Sequence, residues 1–285
     1  MSKFNQALKQ YWDKKSKLES TREKQNPIKQ VHTDLLWREI NRCITNRQKL
    51  EILDVGAGTG RFSIPIAQRG HSVTHLDISK EMIEITKEIA NKKDLQNMIF
   101  VQQDLCKGLQ YKENTFDLVL CLDSPLSYCY KNYENVIKDL IRVSKSKIIV
   151  CVSNRYGIIT EGGTDFDLYH FGKLKTVKEV FETGNLIVKD QLRKLQPLLM
   201  PSWHGFTPEE LERLLEKNSC IIERISAPGT LARFIKTKLL TKLFKDKANY
   251  KDFLDFEEKF DSINSILGIG AIGAGGLLVT AEKII

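Results

Sequence analysis

Apolar residues along the chain follow two alternating rhythms. The compact runs "LEILDVG" (50–56), "HSVTHLD" (71–77), "MIFVQQD" (98–104), "FDLVLCLD" (116–123) and "KIIVCVSN" (147–154) read as buried strands. Between them lie stretches with helical spacing: "RFSIPIAQRG" (61–70), stopped by Gly70, "SKEMIEITKEIANKK" (79–93) and "NYENVIKDLIRVS" (132–144). Ser79 can cap the second of these, with Glu81 and Glu84 placed against the positive end of the helix dipole. Strands that alternate with helices in this way predict a parallel sheet covered on both faces.

The flanks depart from that rhythm. Residues 3–20 and 27–47 predict two polar or amphipathic helices, the second carrying Leu35, Leu36 and Ile40 near one face. The alternation breaks over 155–206, resumes with a helix at 207–218 and the strand "CIIERIS" at 220–226, and breaks again over 227–275. An apolar strand at 277–284 closes the chain. The reading is therefore an N-terminal helical cap (1–49), a core (50–154, 207–226 and 276–285) and two insertions (155–206 and 227–275).

At 285 residues with 41% hydrophobic content, the chain can bury a full core without disulfides or metals. Its six cysteines, Cys43, Cys106, Cys121, Cys129, Cys151 and Cys220, form no CxxC pair and several fall in strand-like runs, which predicts free thiols and a cytoplasmic setting. The N-terminus lacks the apolar stretch of a secretory signal. Ser262 to Ala281 carries no charge, but Gly268, Gly270, Gly273, Gly275 and Gly276 interrupt it, so a loop leading into a buried strand is favoured over a membrane span. The net charge of +8 is concentrated in residues 1–49, where twelve Lys/Arg face five Asp/Glu. A solvated helical face is favoured over contact with RNA or an acidic substrate as the reason for that excess, and neither an RNP-type aromatic motif nor zinc-finger spacing supports RNA.

The chemistry is concentrated in "ILDVGAGTGRF" (52–62), a strand running into three glycines. Such a turn lets backbone approach a ligand at a helix N-terminus. A P-loop needs a Lys-Ser/Thr pair after its last glycine, and Arg61 stands there instead. The dinucleotide fingerprint is GxGxxG, whereas Gly56, Gly58 and Gly60 make GxGxG. Asp77 ends the second strand, where an acid can accept from both ribose hydroxyls, and Asp104 ends the third.

"LDVGAGTG", with Asp54 two residues before the first glycine, resembles the first motif of class I S-adenosylmethionine-dependent methyltransferases. Within that class the chain is similar to the small-molecule branch that includes quinone and natural-product methyltransferases. The resemblance implies a seven-stranded, mostly parallel, doubly wound α/β sheet whose antiparallel last strand, "GLLVTAEKI", inserts between the fifth and sixth. It implies S-adenosylmethionine as cofactor, held by Asp54, Gly56, Ala57, Gly58, Thr59, Gly60, Asp77, Ile78, Asp104, Leu105 and Leu122. Asp104 would receive the adenine amino group, and Tyr11 would close over the methionine end.

In open α/β sheets the ligand lies beyond the carboxyl ends of the strands. Both insertions leave from such ends, so they are expected to converge there as a lid, joined by the N-terminal helices. A roofed pocket suits a small-molecule acceptor methylated at O, N or C. Asp123, Ser124, Tyr128 and Tyr130 in "CLDSPLSYCY" lie near the expected transfer point. His204 and His170 are candidate bases, with Asp123 beside them as a candidate catalytic acid group. Trp203, Phe206 and Tyr169 could line the acceptor pocket, and His75, inside the second strand, reads as structural. No His/Asp/Glu cluster points to a metal. Two other readings stand beside this one: an RNA methyltransferase using the basic N-terminus, and a cofactor-binding module that regulates a partner without turnover.

Overall fold

The computed structural model describes residues 2–22, 26–44, 49–188, 201–269 and 276–284. Strand β1 (Glu51–Val55) lies near the middle of a seven-stranded sheet, paired in parallel with β2 (Ser72–Asp77) and β4 (Phe116–Cys121). β3 (Met98–Gln102) extends one side, and β5 (Ser144–Ser153) the other. Beyond β5 come the last and then the penultimate sheet strands, β9 (Gly276–Lys283) and β8 (Cys220–Ser226), so the order is β3-β2-β1-β4-β5-β9-β8. β9 runs antiparallel to both neighbours, in the place the sequence assigns to the closing strand. Gly276 begins it because a Cβ there would lie 1.2 Å from the Val152 carbonyl oxygen. The loop read through Gly270, Gly273 and Gly275 falls outside the described residues.

The inner strands bury both faces, the edge strands β3 and β8 only in part, and each face has its own cover. Ile52, Leu118, Leu120 and Ile149 pack under α2 (Pro27–Cys43) and α3 (Ser63–Gln68), which contribute Leu36, Ile40 and Ile66. Leu53, Val119, Ile148 and Val150 pack under α6 (Tyr133–Val143) and α10 (Pro208–Glu216), which contribute Ile137, Leu140 and Leu211. Burial of this kind contributes about 1.5–3 kcal/mol per large aliphatic side chain. β5 starts three residues before the predicted 147, because α6 ends at Val143 and Ser144 already pairs with Phe116.

α1 (Lys3–Glu19), capped by Ser2, crosses the top of the sheet and touches α4 (Lys80–Lys92). The first insertion is three short helices, α7 (Arg155–Ile158), α8 (Thr164–Phe171) and α9 (Thr176–Thr183), then a two-stranded ribbon of β6 (Asn185–Leu186) and β7 (Trp203–His204). The second insertion holds α11 (Thr237–Leu243), α12 (Lys247–Asp261) and α13 (Asn264–Ile269). Its Ala232, Leu240 and Leu254 pack on Val31 and Leu35 of α2. Among the described residues, no helix is long and apolar enough to cross a membrane.

Candidate functional site

A cavity of about 350 Å³ opens beyond the carboxyl ends of β1, β2 and β4. Its floor is the glycine loop. Gly56, Gly58 and Gly60 all have positive φ, but for different reasons. A Cβ on Gly56 would lie 2.3 Å from Pro125, and one on Gly60 would lie 2.5 Å from Thr86, so both serve packing. At Gly58 the nearest atom is Met82 Sδ at 3.5 Å, and Gly58 lines the cavity. Gly60 is absent from the lining, whereas Asp54, Gly56, Ala57, Thr59, Ile78, Leu105 and Leu122 belong to it.

Asp77 ties this loop to the next helix. Its carboxylate accepts from Gly58 N at 2.8 Å and Ser79 N at 2.7 Å. A carboxylate has about four lone-pair positions, so these bonds do not exhaust its capacity to accept from a ligand. Only 6% exposed, Asp77 has its pKa pushed up to about 6, chiefly by burial and against its backbone hydrogen bonds. Burial likewise raises Asp54 to about 7, although Ser63 Oγ donates to it at 2.5 Å. His75 Nδ1 lies 2.9 Å from the same Oγ and is buried in strand β2, the structural place expected of it. Asp104 accepts from Cys106 N at 3.0 Å and from the side chain of Asn5.

The roof is α1. Leu8 and Trp12 reach the cavity, and Asn5 reaches Asp104, positions that recur on one helical face. Tyr11 sits one residue away, about 100° around the helix. It packs edge-on against Trp12 at 5.0 Å and is not in the lining, where Trp12 stands instead.

At the other end, Asp123 and Ser124 follow β4 with positive φ, at 60° and 75°. The Asp123 carboxylate is 2.9 Å from His32 Nε2 and accepts from Arg22 at 3.2 Å and from Arg61. Loop, α1 end and α2 thus meet on one side chain. His32 Nδ1 lies 3.2 Å from the Pro228 carbonyl, which can only accept. Burial and the guanidinium of Arg22 hold the His32 pKa well below its usual value. Arg61 also donates to Thr33 Oγ1 at 3.1 Å. Tyr128 is part of the wall, edge-on to Trp12 at 5.3 Å, and burial raises its pKa. Trp203 completes the wall beside Ser153.

Residues 52–147 match the family model described as a methyltransferase domain. That segment is a methyltransferase domain. The chain is 36% identical over 97 residues to the tRNA 5-carboxymethoxyuridine methyltransferase of Escherichia coli K12, a match spanning 32% of this chain and 36% of that protein. It is 26% identical over 194 residues to the ubiquinone biosynthesis O-methyltransferase of Rickettsia typhi, covering 64% of this chain and 75% of that one. A crystal structure of a SAM-dependent methyltransferase from Methanosarcina mazei superposes with a TM-score of 0.54 at 19% identity, over 86% of this chain and 97% of that one. The chain thus spans about a third of the length of the tRNA methyltransferase it resembles.

The candidate bases lie away from the cavity or are otherwise engaged. His204 is buried between Asn185 Oδ1 at 2.9 Å and Glu210 Oε1 at 2.8 Å, and its ring stacks on Tyr133 at 4.5 Å. Both nitrogens are spent on clasping the first insertion to α10, so His204 serves structure. His170 sits on exposed α8 between Phe166 and Tyr169, outside the lining. Asp123 does line the cavity, but two guanidiniums and a histidine hold it, which makes it a poor base. Phe206 is fully buried core, Tyr130 packs on Phe4 at 5.9 Å, and Tyr169 projects into solvent. The second insertion does not converge on the cavity: no described residue of 227–269 lines it, and the segment instead backs α2.

The fold also gathers residues that the motifs do not announce: Asn5, Trp12, Arg22, Lys29, His32 and Arg61. The Asn5–Leu8–Trp12 spacing was the one available signal. His32, Asp123 and Cys151 bring ligand atoms within 4.8 Å of one another. Burial pushes the Cys151 thiol up to about 12, and Arg22 and Arg61 oppose a dication there.

Proposed function

We propose that the chain is a methyltransferase that takes its methyl group from S-adenosylmethionine and transfers it to a small-molecule acceptor at O, N or C. The carrying observation is the convergence of three buried acids, Asp54, Asp77 and Asp104, on a cavity floored by Gly58 and roofed by α1. This acidic end fits a ligand with an adenosine sugar, an exocyclic amine and a positive sulfonium and ammonium. In this reading Asp77 would accept from the ribose hydroxyls, and Asp104, which also accepts from Asn5, from the adenine amino group. Asp54 offers its carboxylate to the ammonium. The bound cofactor supplies an electrophilic methyl group, and the protein's part is to align donor and acceptor for in-line displacement. Trp12, Leu8 and Tyr128 keep bulk water from the reacting atoms.

Three features support a small acceptor: the roof over the cavity, the aromatic wall, and likeness to a ubiquinone biosynthesis O-methyltransferase. An RNA acceptor is the second reading. It rests on the twelve Lys/Arg of residues 1–49 and on likeness to a tRNA methyltransferase. Methyl-labelled cofactor incubated with a low-molecular-weight metabolite fraction, and separately with bulk tRNA, decides between them. Label in the small-molecule fraction supports the first reading, and salt-sensitive label in tRNA supports the second. Label in neither, with cofactor bound, supports a module without turnover.

A further inference from the structure

The second insertion carries a basic surface that the methyl-transfer site does not use. Residues 236–247 hold five lysines, Lys236, Lys238, Lys242, Lys245 and Lys247, against one acid, Asp246. All five are exposed, and none forms an ion pair among the described residues. Asp246 caps α12, accepting from Ala248 N at 2.9 Å and Asn249 N at 3.0 Å, so its charge is turned to that helix.

Two large apolar side chains stand among these lysines: Phe234, 70% exposed, and Leu239, 57% exposed. The packing selects what faces outward. Leu240 is fully buried in the cluster shared with α2, and Ile235 and Phe244 pack against the same cluster. On α11, Lys238, Leu239 and Lys242 are left together on the outer face, since residues three and four apart are neighbours on a helix. Extended backbone at Ile235 and Lys236 turns Lys236 away from the packed Ile235. Unpaired lysines around exposed Phe and Leu have the chemistry of an interfacial surface. Their ammonium groups reach lipid phosphates on long stems, while the apolar side chains enter the boundary between headgroups and acyl chains. Nucleic acid is the other polyanion. Its phosphates favour the guanidinium fork of Arg, whereas these five cations are all Lys, and Leu239 offers a base no ring to stack on.

We infer that this face binds the surface of an anionic phospholipid bilayer without spanning it, with Phe234 and Leu239 entering the headgroup boundary. The face lies outside the cavity, yet α2 joins the two: Ile28 packs against this insertion, and Lys29 beside it lines the cavity.

The test is co-sedimentation of the full chain with vesicles of phosphatidylcholine mixed with phosphatidylglycerol, and with vesicles of phosphatidylcholine alone. The chain should sediment with the anionic vesicles, stay in solution with the neutral ones, and be released by salt. The double variant Lys238→Glu, Lys242→Glu should bind the anionic vesicles at least about tenfold more weakly. Phe234→Ser, which leaves every charge in place, should weaken binding by about tenfold through lost apolar burial. Lys14→Glu with Lys17→Glu, the same reversal on exposed positions of α1, should bind like the parent. No sedimentation with anionic vesicles overturns the inference, as does equal sedimentation with both kinds. So does an equal loss in the α1 variant, because the attraction would then belong to the net charge of the whole chain. Unchanged binding by Phe234→Ser overturns the seat in the headgroup boundary. Bulk tRNA bound through Lys238 and Lys242, with vesicles left unbound, would make the face a nucleic-acid surface instead. No cofactor is needed, so every outcome is independent of the methyl-transfer reading.

Discussion

Asp77 holds the Gly58 amide and the start of α4 while keeping some capacity to accept from a ligand. Burial raises its pKa to about 6 and that of Asp54 to about 7, against roughly 4 in an unfolded chain. For an acid raised in this way, the stabilising contribution is complete below the unfolded value and is lost as pH climbs through 6 to 7. A cationic ligand favours the charged carboxylates, so S-adenosylmethionine should bind more tightly as pH rises through that window and should release protons. Calorimetry near pH 6.5 in two buffers of different ionisation enthalpy measures that release; equal heats in both would contradict it. Gly58 is a second residue-scale test. Its φ of 58° and its place in the lining predict that Gly58→Val abolishes cofactor binding, read by the same titration, while the more tightly packed Gly56 and Gly60 should unfold the loop when replaced.

α1 and α12 show how elements divide the work. α1 lays Asn5, Leu8 and Trp12 over the cavity and anchors through Asp13, which accepts from Ser79 Oγ at 2.6 Å. Trp12→Ala should therefore weaken S-adenosylhomocysteine by about tenfold, through lost burial, with little change in Tm because the sheet does not depend on it. α12 never reaches the cavity. Its Glu257 accepts from Leu231 N at 2.7 Å and Ala232 N at 3.1 Å, and its Asp261 accepts from Gly229 N at 2.8 Å and Thr230 N at 3.1 Å. Together they fix the loop whose Pro228 carbonyl faces His32. Burial raises both carboxyl groups, and the charge of Glu257 raises Asp261 further. That stabilising contribution is complete below the unfolded values of about 4 and is lost as pH rises through about 7 to 8. Tm should fall as pH rises from about 5 to 8, and Glu257→Gln, which imitates the protonated acid, should flatten the fall by about 2–4 °C. An unchanged slope in the variant would contradict the assignment.

Across the whole molecule, legibility followed the range of the interactions. The core was readable because β1, β2, β3 and β4 each announce themselves by local burial, and their ends deliver Asp54, Asp77 and Asp104 to one edge. The place of β9 came from family likeness, and the sheet bears it out. The acceptor end was not readable. Arg22, His32, Arg61 and Asp123 are scattered through the sequence and meet only because α2 packs across the sheet. His204 misled for the same reason: nothing local shows that Asn185 and Glu210 occupy both its nitrogens.

The most direct test is a calorimetric titration of S-adenosylhomocysteine into the intact chain and its Asp77→Ala variant. The account predicts saturable binding at one site per chain, weakened by about 1–3 kcal/mol in the variant through loss of a charge-assisted hydrogen bond. No saturable binding, or equal affinity in both proteins, would contradict it.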